Sequence, residues 1–346
     1  MAGYFQINSI VASLGSFRLG PASLEMEKGE YLVLLGPTGC GKSSLLKCIS
    51  GICTVQSGSI YLDGKDVGAM SAHKRGVGYV SQFADLFPHL TVRQNVAYGL
   101  RYIGISKKEG SDRISRYLDL FGLAKLAGRK PATLSGGESR KTAMARSLII
   151  NPRILLLDEP LGMLDHNSSK EMLGILRMIH DELQTTTIHV THDRHEAWNI
   201  SESCAVMNDG KILQTGNVAE LFRMPKSHFV AEFLVATNIF EANFEGKTAL
   251  VSWSTIELPQ TASAANGWVL IRPEGISLVQ KNQPYKASGR VSAVRDFGEF
   301  IEIEVKMKDS ATLFIHSTID RTAKAGVGEE VFMNWTVESA HAITHE

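Results

Sequence analysis

The architecture of this chain can be inferred outward from one segment, Gly36-Pro37-Thr38-Gly39-Cys40-Gly41-Lys42-Ser43. It matches the phosphate-loop pattern GxxxxGK[ST] at every fixed position, between an apolar strand at 31–35 and a helix predicted over 43–50. Glycines let several backbone N–H groups point at phosphate oxygens, and the helix N-terminus favours anions. We expect this loop and Ser44 to bind a nucleotide, with Lys42 at the β- and γ-phosphates and Ser43 on Mg²⁺. The alternative is a glycine-rich turn that matches by chance.

Composition restricts the class of protein. The 346 residues carry 36 Lys+Arg and 36 Asp+Glu, so the formal net charge is zero, which argues against a chain whose main task is gripping nucleic acid. A hydrophobic content of 44 % excludes disorder as the dominant state. No segment reaches the roughly 18 apolar residues of a membrane span, and no signal peptide is visible, so we expect a cytosolic chain. The cysteines form no CxxC pair, so we expect free thiols.

The texture of the sequence changes near residue 235. Before it, apolar runs of strand length alternate with helical patterns, which predicts βαβ units on a parallel sheet. After it, short alternating segments separated by Gly, Asn, Asp and Ser predict a small all-β barrel. We expect an α/β domain over 1–235, with a helical subdomain at about 90–150, and a β-barrel domain over 236–346. A helical stretch at 218–236 is expected to join them.

A second chemical motif follows the apolar run at 154–157, where Asp158 and Glu159 stand together. Four such residues fit a strand buried on both faces of a parallel sheet, and ligands bind at the carboxyl ends of such strands. Asp158 would hold Mg²⁺ through water, and Glu159 would orient the attacking water or accept its proton. The alternative is an acidic pair that merely caps a strand end before the turn-forming Pro160.

A third motif is Leu134-Ser135-Gly136-Gly137-Glu138, which opens a helical run and makes a further anion-binding N-terminus. Here the chain resembles the nucleotide-binding subunit of ABC transporters, whose signature is LSGGQ or LSGGE. The resemblance covers residues 1 to about 235. It makes Gln82 the Q-loop glutamine, Asp165 the D-loop aspartate and His192 the switch histidine. It implies an ATPase with ATP and Mg²⁺ as cofactors, with Glu159, His192 and Gln82 as catalytic residues and Ser43, Gln82 and Asp158 at the metal.

The resemblance also implies a homodimer in which two subunits face head to tail. Ser135, Gly136 and Gly137 would then act at the nucleotide of the partner, and Asp165 is expected to be a further nucleotide-binding residue. The chain departs from the family pattern in places. Gly162-Met163-Leu164-Asp165 stands where the family reads SALD, and Ser139-Arg140-Lys141 stands where it reads QQR. Phe17 is the nearest aromatic to the adenine-stacking place; its alternative interpretation is a buried strand residue.

The C-terminal segment Leu270-Ile271-Arg272-Pro273-Glu274 resembles part of the TOBE-type, OB-like barrel of importer ATPases. The overall texture is most like the molybdate/tungstate branch, with sulfate, iron(III), polyamine and sugar importers as alternatives. This implies permease subunits as partners, a solute-binding protein as an indirect partner, and a peripheral place on the cytoplasmic face of the membrane. Leu86, Phe87 and Leu90 would receive a coupling helix of the permease, or else form core of the helical insertion.

Two rival functions remain open. A soluble ABC ATPase acting on nucleic acid would need long coiled coils or a basic face, and neither is visible. A regulatory β domain that binds a small oxyanion or a protein is compatible with the importer. We expect His189, His192 and His195 not to form a zinc site, because a strand end need not bring them to one face. Alkylation of Cys40 is expected to block nucleotide binding sterically.

Overall fold

The computed structural model describes residues 3–162, 164–235, 237–317 and 325–344. The chain forms two compact units, Met1–Ala219 and Glu220–Glu346. The sequence texture predicts a boundary at 235/236, so the division of the chain falls earlier than expected. The physical reason is packing: Ala231, on the predicted connecting helix, lies in one apolar cluster with Leu270 and Ile343 of the β domain.

The first unit contains a six-stranded, mostly parallel sheet in the order β10-β9-β3-β8-β7-β6. Its strands are β3 Tyr31–Leu35, β6 Val77–Val80, β7 Ile154–Asp158, β8 Thr186–Thr191, β9 Ser203–Asn208 and β10 Lys211–Asn217. Strands β3, β7 and β8 are buried along their whole length, as expected for a sheet covered on both faces. The predicted parallel sheet is therefore confirmed, and only β10 pairs with its neighbour antiparallel.

A four-stranded antiparallel sheet in the order β2-β1-β4-β5 accompanies it. Its strands are β1 Phe5–Leu14, β2 Phe17–Met26, β4 Ser57–Leu62 and β5 Lys65–Asp66. The sequence analysis did not predict this second sheet. Buried and exposed residues nevertheless alternate along β2, as in a strand with one covered face. Its inner side chains, among them Phe5, Ile7 and Ile60, share one core with Leu34 and Leu45.

Six α-helices lie within the described part of the first unit. They are α1 Lys42–Ser50, α2 Val92–Ala97, α3 Lys107–Leu120, α4 Gly136–Leu148, α5 His166–Leu183 and α6 Arg194–Ile200. Residues 81–153 are all described, and they contain helices and no strand. Two short helices follow, α7 Val218–Arg223 and α8 His228–Leu234. None of the helices described has the length and apolar character needed to cross a membrane.

The second unit confirms the all-β prediction for the C-terminal region. Its described strands form two five-stranded antiparallel sheets, in the orders β13-β12-β11-β14-β20 and β15-β19-β16-β17-β18. The strands are β11 Ile239–Glu245, β12 Thr248–Val251, β13 Ser254–Glu257, β14 Asn266–Ile271, β15 Ile276–Val279, β16 Ala287–Asp296, β17 Ile301–Lys306, β18 Thr312–Ser317, β19 Glu330–Trp335 and β20 Ala340–Ile343. Both sheets contribute to one apolar core, which includes Val269, Ile303 and Met333.

Candidate functional site

The phosphate loop connects the end of β3 to the start of α1. Two of its glycines are required by the backbone. Gly41 is the N-cap of α1 with φ of 107°, a left-handed conformation that favours glycine. A Cβ on Gly36 would lie 2.3 Å from the carbonyl oxygen of Met207, so the loop tolerates no side chain there. The loop thus exposes its backbone where an anion would sit at the helix N-terminus.

Lys42 lies inside this loop. Its Nζ donates to the carbonyl oxygens of Gly36 at 2.7 Å and Pro37 at 2.9 Å, and the residue is buried. The ammonium group is therefore held by the loop carbonyls, at the place where the predicted phosphates would bind. Phosphate oxygens are stronger acceptors than these carbonyls for a charged donor.

Cys40 contributes to the loop through its backbone. Its N–H donates to Pro37 O at 3.3 Å and its carbonyl accepts from the N–H of Gly210 at 2.9 Å. Its thiol belongs to the apolar core, and burial raises the thiol pKa. The Cys40 Sγ thus lies beneath the loop, 4.0 Å from the Nζ of Lys42.

Asp158 ends strand β7 and faces the start of α1. Its Oδ1 accepts from the Ser43 hydroxyl at 2.8 Å, and its Oδ2 accepts from the Tyr79 hydroxyl at 3.0 Å. Burial, followed by the nearby Asp158 carboxylate, raises the Tyr79 pKa well above its ordinary value. The structure therefore brings Ser43 and Asp158 together as predicted. Tyr79 was not predicted as a site residue, although it lies near the end of strand β6, three positions before Gln82.

The Glu159 side chain lies close to two other predicted residues, Gln82 and His192. Its Oε2 accepts from the Gln82 side-chain amide at 3.0 Å, and its Oε1 lies 3.5 Å from Nδ1 of His192. Its backbone N–H donates to Val190 O at 3.0 Å, and its φ is 46°. The Gln82 amide and the His192 ring, from two separate parts of the chain, thus approach one carboxylate that follows directly after Asp158.

Arg140, on α4, is a second residue that sequence reasoning missed as part of the site. Its guanidinium donates to the carbonyls of Gln82, Glu159 and Pro160. The sequence shows the segment Ser139-Arg140-Lys141 as a departure from the family pattern, and it predicts no role for Arg140. No local pattern marks this arginine as buried, so its contacts follow from the tertiary structure alone.

The signature segment forms a capping box at the start of α4. The Ser135 hydroxyl accepts from Glu138 N at 3.2 Å, and Glu138 Oε2 accepts from Ser135 N at 2.7 Å. A Cβ on Gly137 would meet no atom within 4 Å, and one on Gly136 would meet only Leu164, at 3.9 Å. Contacts with the described residues therefore do not explain why glycine occupies these two helical positions.

The remaining predicted residues lie at the edges of the site. Asp165 is the N-cap of α5, where it accepts from the N–H groups of Asn167 and Ser168, and a bond from the Ser168 hydroxyl is the main cause of its lowered pKa. Met163 lies outside the described residues. Phe17 is half-buried and its ring packs on the loop at Gly41, where a Cβ would lie 2.6 Å from Phe17 Cζ.

Two histidines of the segment, His189 and His192, have different partners. His189 is buried in β8, with Nδ1 at 2.9 Å from the Tyr31 hydroxyl and Nε2 at 3.0 Å from Glu196 Oε2. His192 faces Glu159 instead. Among the residues that the structure describes, no three His, Cys, Asp or Glu side chains form a metal-binding group.

The surface beside Gln82 carries apolar side chains. Leu86, Phe87 and Leu90 are each half-buried, and the Phe87 ring lies 4.4 Å from that of Tyr98. Phe83 is 70 % exposed, more than any of the three residues singled out from the sequence. These residues therefore belong partly to the helical subdomain and partly to its accessible surface.

Two family models match the chain. One, described as ABC transporter, matches residues 19–162, and one, described as TOBE domain, matches residues 269–343. A solved structure of cbiO1 from Clostridium perfringens, part of the ABC transporter complex cbiONQ, has a TM-score of 0.59 and 27 % identity. The similarity covers 64 % of this chain and 91 % of that chain.

Curated relatives extend the match to both units. A sulfate/thiosulfate import ATP-binding protein of Gloeobacter violaceus is 38 % identical over 89 % of this chain and 87 % of its own length. An Fe(3+) ions import ATP-binding protein of Rhizobium etli is 38 % identical over 90 % of each chain. A spermidine/putrescine import ATP-binding protein of Bacillus cereus is 34 % identical over 92 % of each. This chain belongs to the family of ABC-importer ATP-binding subunits, ATPases that carry a TOBE domain after the ABC domain.

Proposed function

We propose that this chain hydrolyses ATP at the phosphate loop and that closure of its homodimer drives uptake of a small solute. The observation that carries the proposal is the environment of Glu159, which is held by Gln82 and faces His192 directly beside the Ser43–Asp158 pair. A carboxylate so held can orient a water molecule and accept its proton.

The loop residues supply positioning and charge. Backbone N–H groups between Gly36 and Ser44 cradle the phosphates, and Lys42 exchanges its two carbonyl acceptors for phosphate oxygens. The Ser43 hydroxyl, the Gln82 amide oxygen and the Asp158 carboxylate fit Mg²⁺, which prefers hard oxygen donors. That ion would neutralise charge on the phosphates. Pro37, Thr38, Gly39, Cys40 and Gly41 contribute backbone, and Phe17 stacks on the adenine.

The signature segment acts across a dimer. Gly136 and Gly137 occupy the first turn of α4, where alanine would be the better helix former, and no contact with the described residues accounts for glycine there. Close approach of the partner's nucleotide to the start of α4 does account for it, since a helix N-terminus favours phosphate. A dimer with two such contacts would have a twofold axis, and C2 dimers are the commonest kind of oligomer.

The solute is set outside this chain. Relatives named for sulfate/thiosulfate, Fe(3+) and spermidine/putrescine import are 34–38 % identical to it. Sulfate, iron(III) and polyamine are therefore the supported candidates, whereas the molybdate/tungstate prediction has no support among these relatives. The chain would work peripherally on the cytoplasmic face of the membrane, bound to permease subunits through the surface near Gln82.

The experiment that tests the proposal compares wild type with Glu159→Gln. The variant should bind ATP normally, hydrolyse it about 100-fold or more slowly, and accumulate as a closed dimer with Mg-ATP. Steady-state ATPase rates and size-exclusion chromatography check both points. Glu182→Gln, an equal charge change at an exposed ion pair with Arg116, is the matched control. Wild-type turnover in Glu159→Gln would contradict the proposed role.

The solute is tested on the full import complex. ATPase and uptake rates measured while titrating sulfate, iron(III), spermidine, molybdate and tungstate should respond to one of these classes. A response confined to molybdate and tungstate would restore the prediction made from sequence texture, and a response to sulfate alone would replace it.

A further inference from the structure

Arg140 is a buried cation in the second turn of the signature helix. The residue is only 7 % exposed, although α4 begins at Gly136 on the surface. Burying an arginine costs free energy unless its donors are used. The reason for its burial must therefore lie in the groups that its guanidinium contacts.

Those groups are backbone carbonyls of two segments that carry catalytic side chains. Nη2 donates to Gln82 O at 3.3 Å, while Nη1 donates to Pro160 O and lies 3.5 Å from Glu159 O. The planar guanidinium group of arginine can donate to several acceptors at once, whereas the ammonium group of a lysine is a single point of donation. One side chain of α4 thus connects the loop of Gln82 to the loop of Glu159.

The Glu159 backbone needs such support. Its φ of 46° lies in the left-handed region, which a residue with a side chain occupies at a cost. Such a conformation persists only where surrounding contacts determine it. Val190 O fixes the N–H of Glu159, Gly162 N fixes its carbonyl at 3.1 Å, and Arg140 fixes the same carbonyl and the next one.

The charges around Arg140 fit this placement. Burial lowers the pKa of the guanidinium, and the carboxylates of Glu159 and Glu196 raise it in opposition. An arginine remains charged under these conditions. Its positive charge therefore stays in the buried region next to Glu159.

We propose that Arg140 is a positioning residue that couples the signature helix to the orientation of Glu159 and Gln82 through their carbonyls. A movement of α4 would then reach the catalytic carboxylate directly through one side chain. The inference rests on the proposed role of Glu159 and adds a residue that the family pattern of glutamine at this place does not supply.

The test is steady-state ATPase kinetics of full-length Arg140→Met, Arg140→Gln and Lys141→Met. Methionine keeps much of the volume but has no donor, so kcat should fall about 10-fold to 100-fold while KM for ATP stays within about threefold. The glutamine side chain can donate to some of the three carbonyls. The kcat of Arg140→Gln should therefore lie between those of Arg140→Met and wild type. Lys141, which pairs with Glu171 on the surface, is the matched control and should stay near wild type.

A double-mutant cycle with Glu159→Gln separates the two proposals. If Arg140 acts through Glu159, Arg140→Met should add no further loss of rate to Glu159→Gln. A further loss as large as that of Arg140→Met alone would overturn the positioning role, and so would wild-type kcat in Arg140→Met or no recovery in Arg140→Gln. Wild-type turnover in Glu159→Gln would instead reject the proposed function. If Arg140→Met does not yield folded protein by circular dichroism, Arg140→Gln carries the same cycle.

Discussion

Cys40 shows how one position of a binding loop can divide its backbone and side chain between two tasks. Its N–H and carbonyl shape the loop, while the thiol packs in the core and is only 4 % exposed. The glycine pattern of the loop is enough to predict that its backbone binds phosphate. The direction of the thiol depends on core neighbours that come from elsewhere in the chain.

This division predicts slow, pH-dependent alkylation of Cys40. Only the thiolate reacts, and burial raises the pKa of this thiol, so its reactive fraction is small at neutral pH and grows as pH rises. Iodoacetamide labelling followed by peptide mass spectrometry between about pH 7 and pH 9 should show Cys40 lagging behind the half-buried Cys53. Labelled protein should lose ATP binding, and Mg-ATP should slow the labelling. Equal labelling of both cysteines at pH 7 would show that the Cys40 thiol is accessible.

Helix α4 combines a local structural device with a functional surface. Its capping box satisfies backbone donors at the same residues that the dimer proposal assigns to the partner's nucleotide. Helix α2 has the same device, with Thr91 and Gln94 in place of Ser135 and Glu138. The two elements therefore allow stability and function to be separated.

We predict that Ser135→Ala and Thr91→Ala destabilise the protein similarly, by about 1 kcal/mol each, because each removes one N-cap oxygen. Urea denaturation followed by circular dichroism measures this loss. Only Ser135→Ala should also lower the ATPase rate of the dimer. If Thr91→Ala lowers that rate as much, the effect of Ser135→Ala reflects stability and gives no support to a signature role.

Among the described residues, each compact unit has an apolar core of its own. The ligand proposed for the chain binds residues of the first unit alone. A ligand that binds the folded state stabilises the unit that holds it, by about 2.7 kcal/mol at a concentration of ~100 Kd. The two units should therefore respond differently to nucleotide.

Tryptophan fluorescence can separate these responses. Of the four tryptophans, Trp198 lies in the first unit and Trp253, Trp268 and Trp335 lie in the second. In Trp198→Phe, fluorescence should report the second unit, and Mg-ATP should leave its thermal midpoint unchanged while the midpoint by circular dichroism rises. Equal shifts in both signals would mean that the two units unfold as one.

Local sequence was sufficient to recognise the phosphate loop and to predict an α/β region followed by an all-β region. Glycine spacing, strand and helix periodicity, and turn residues act between chain neighbours, so they can be recognised without the tertiary structure. The resemblance to ABC transporters added Gln82 and His192, and the structure brings both to Glu159.

Other features depend on contacts between distant parts of the chain. Four features are of this kind: the antiparallel sheet of the first unit, the earlier division between the units, the burial of the Cys40 thiol and the buried guanidinium of Arg140. Arg140 reads locally as an ordinary helical arginine, because its acceptors lie on two other segments. Burial and the direction of a side chain are set by the neighbours that packing supplies, and only the folded chain brings those neighbours together.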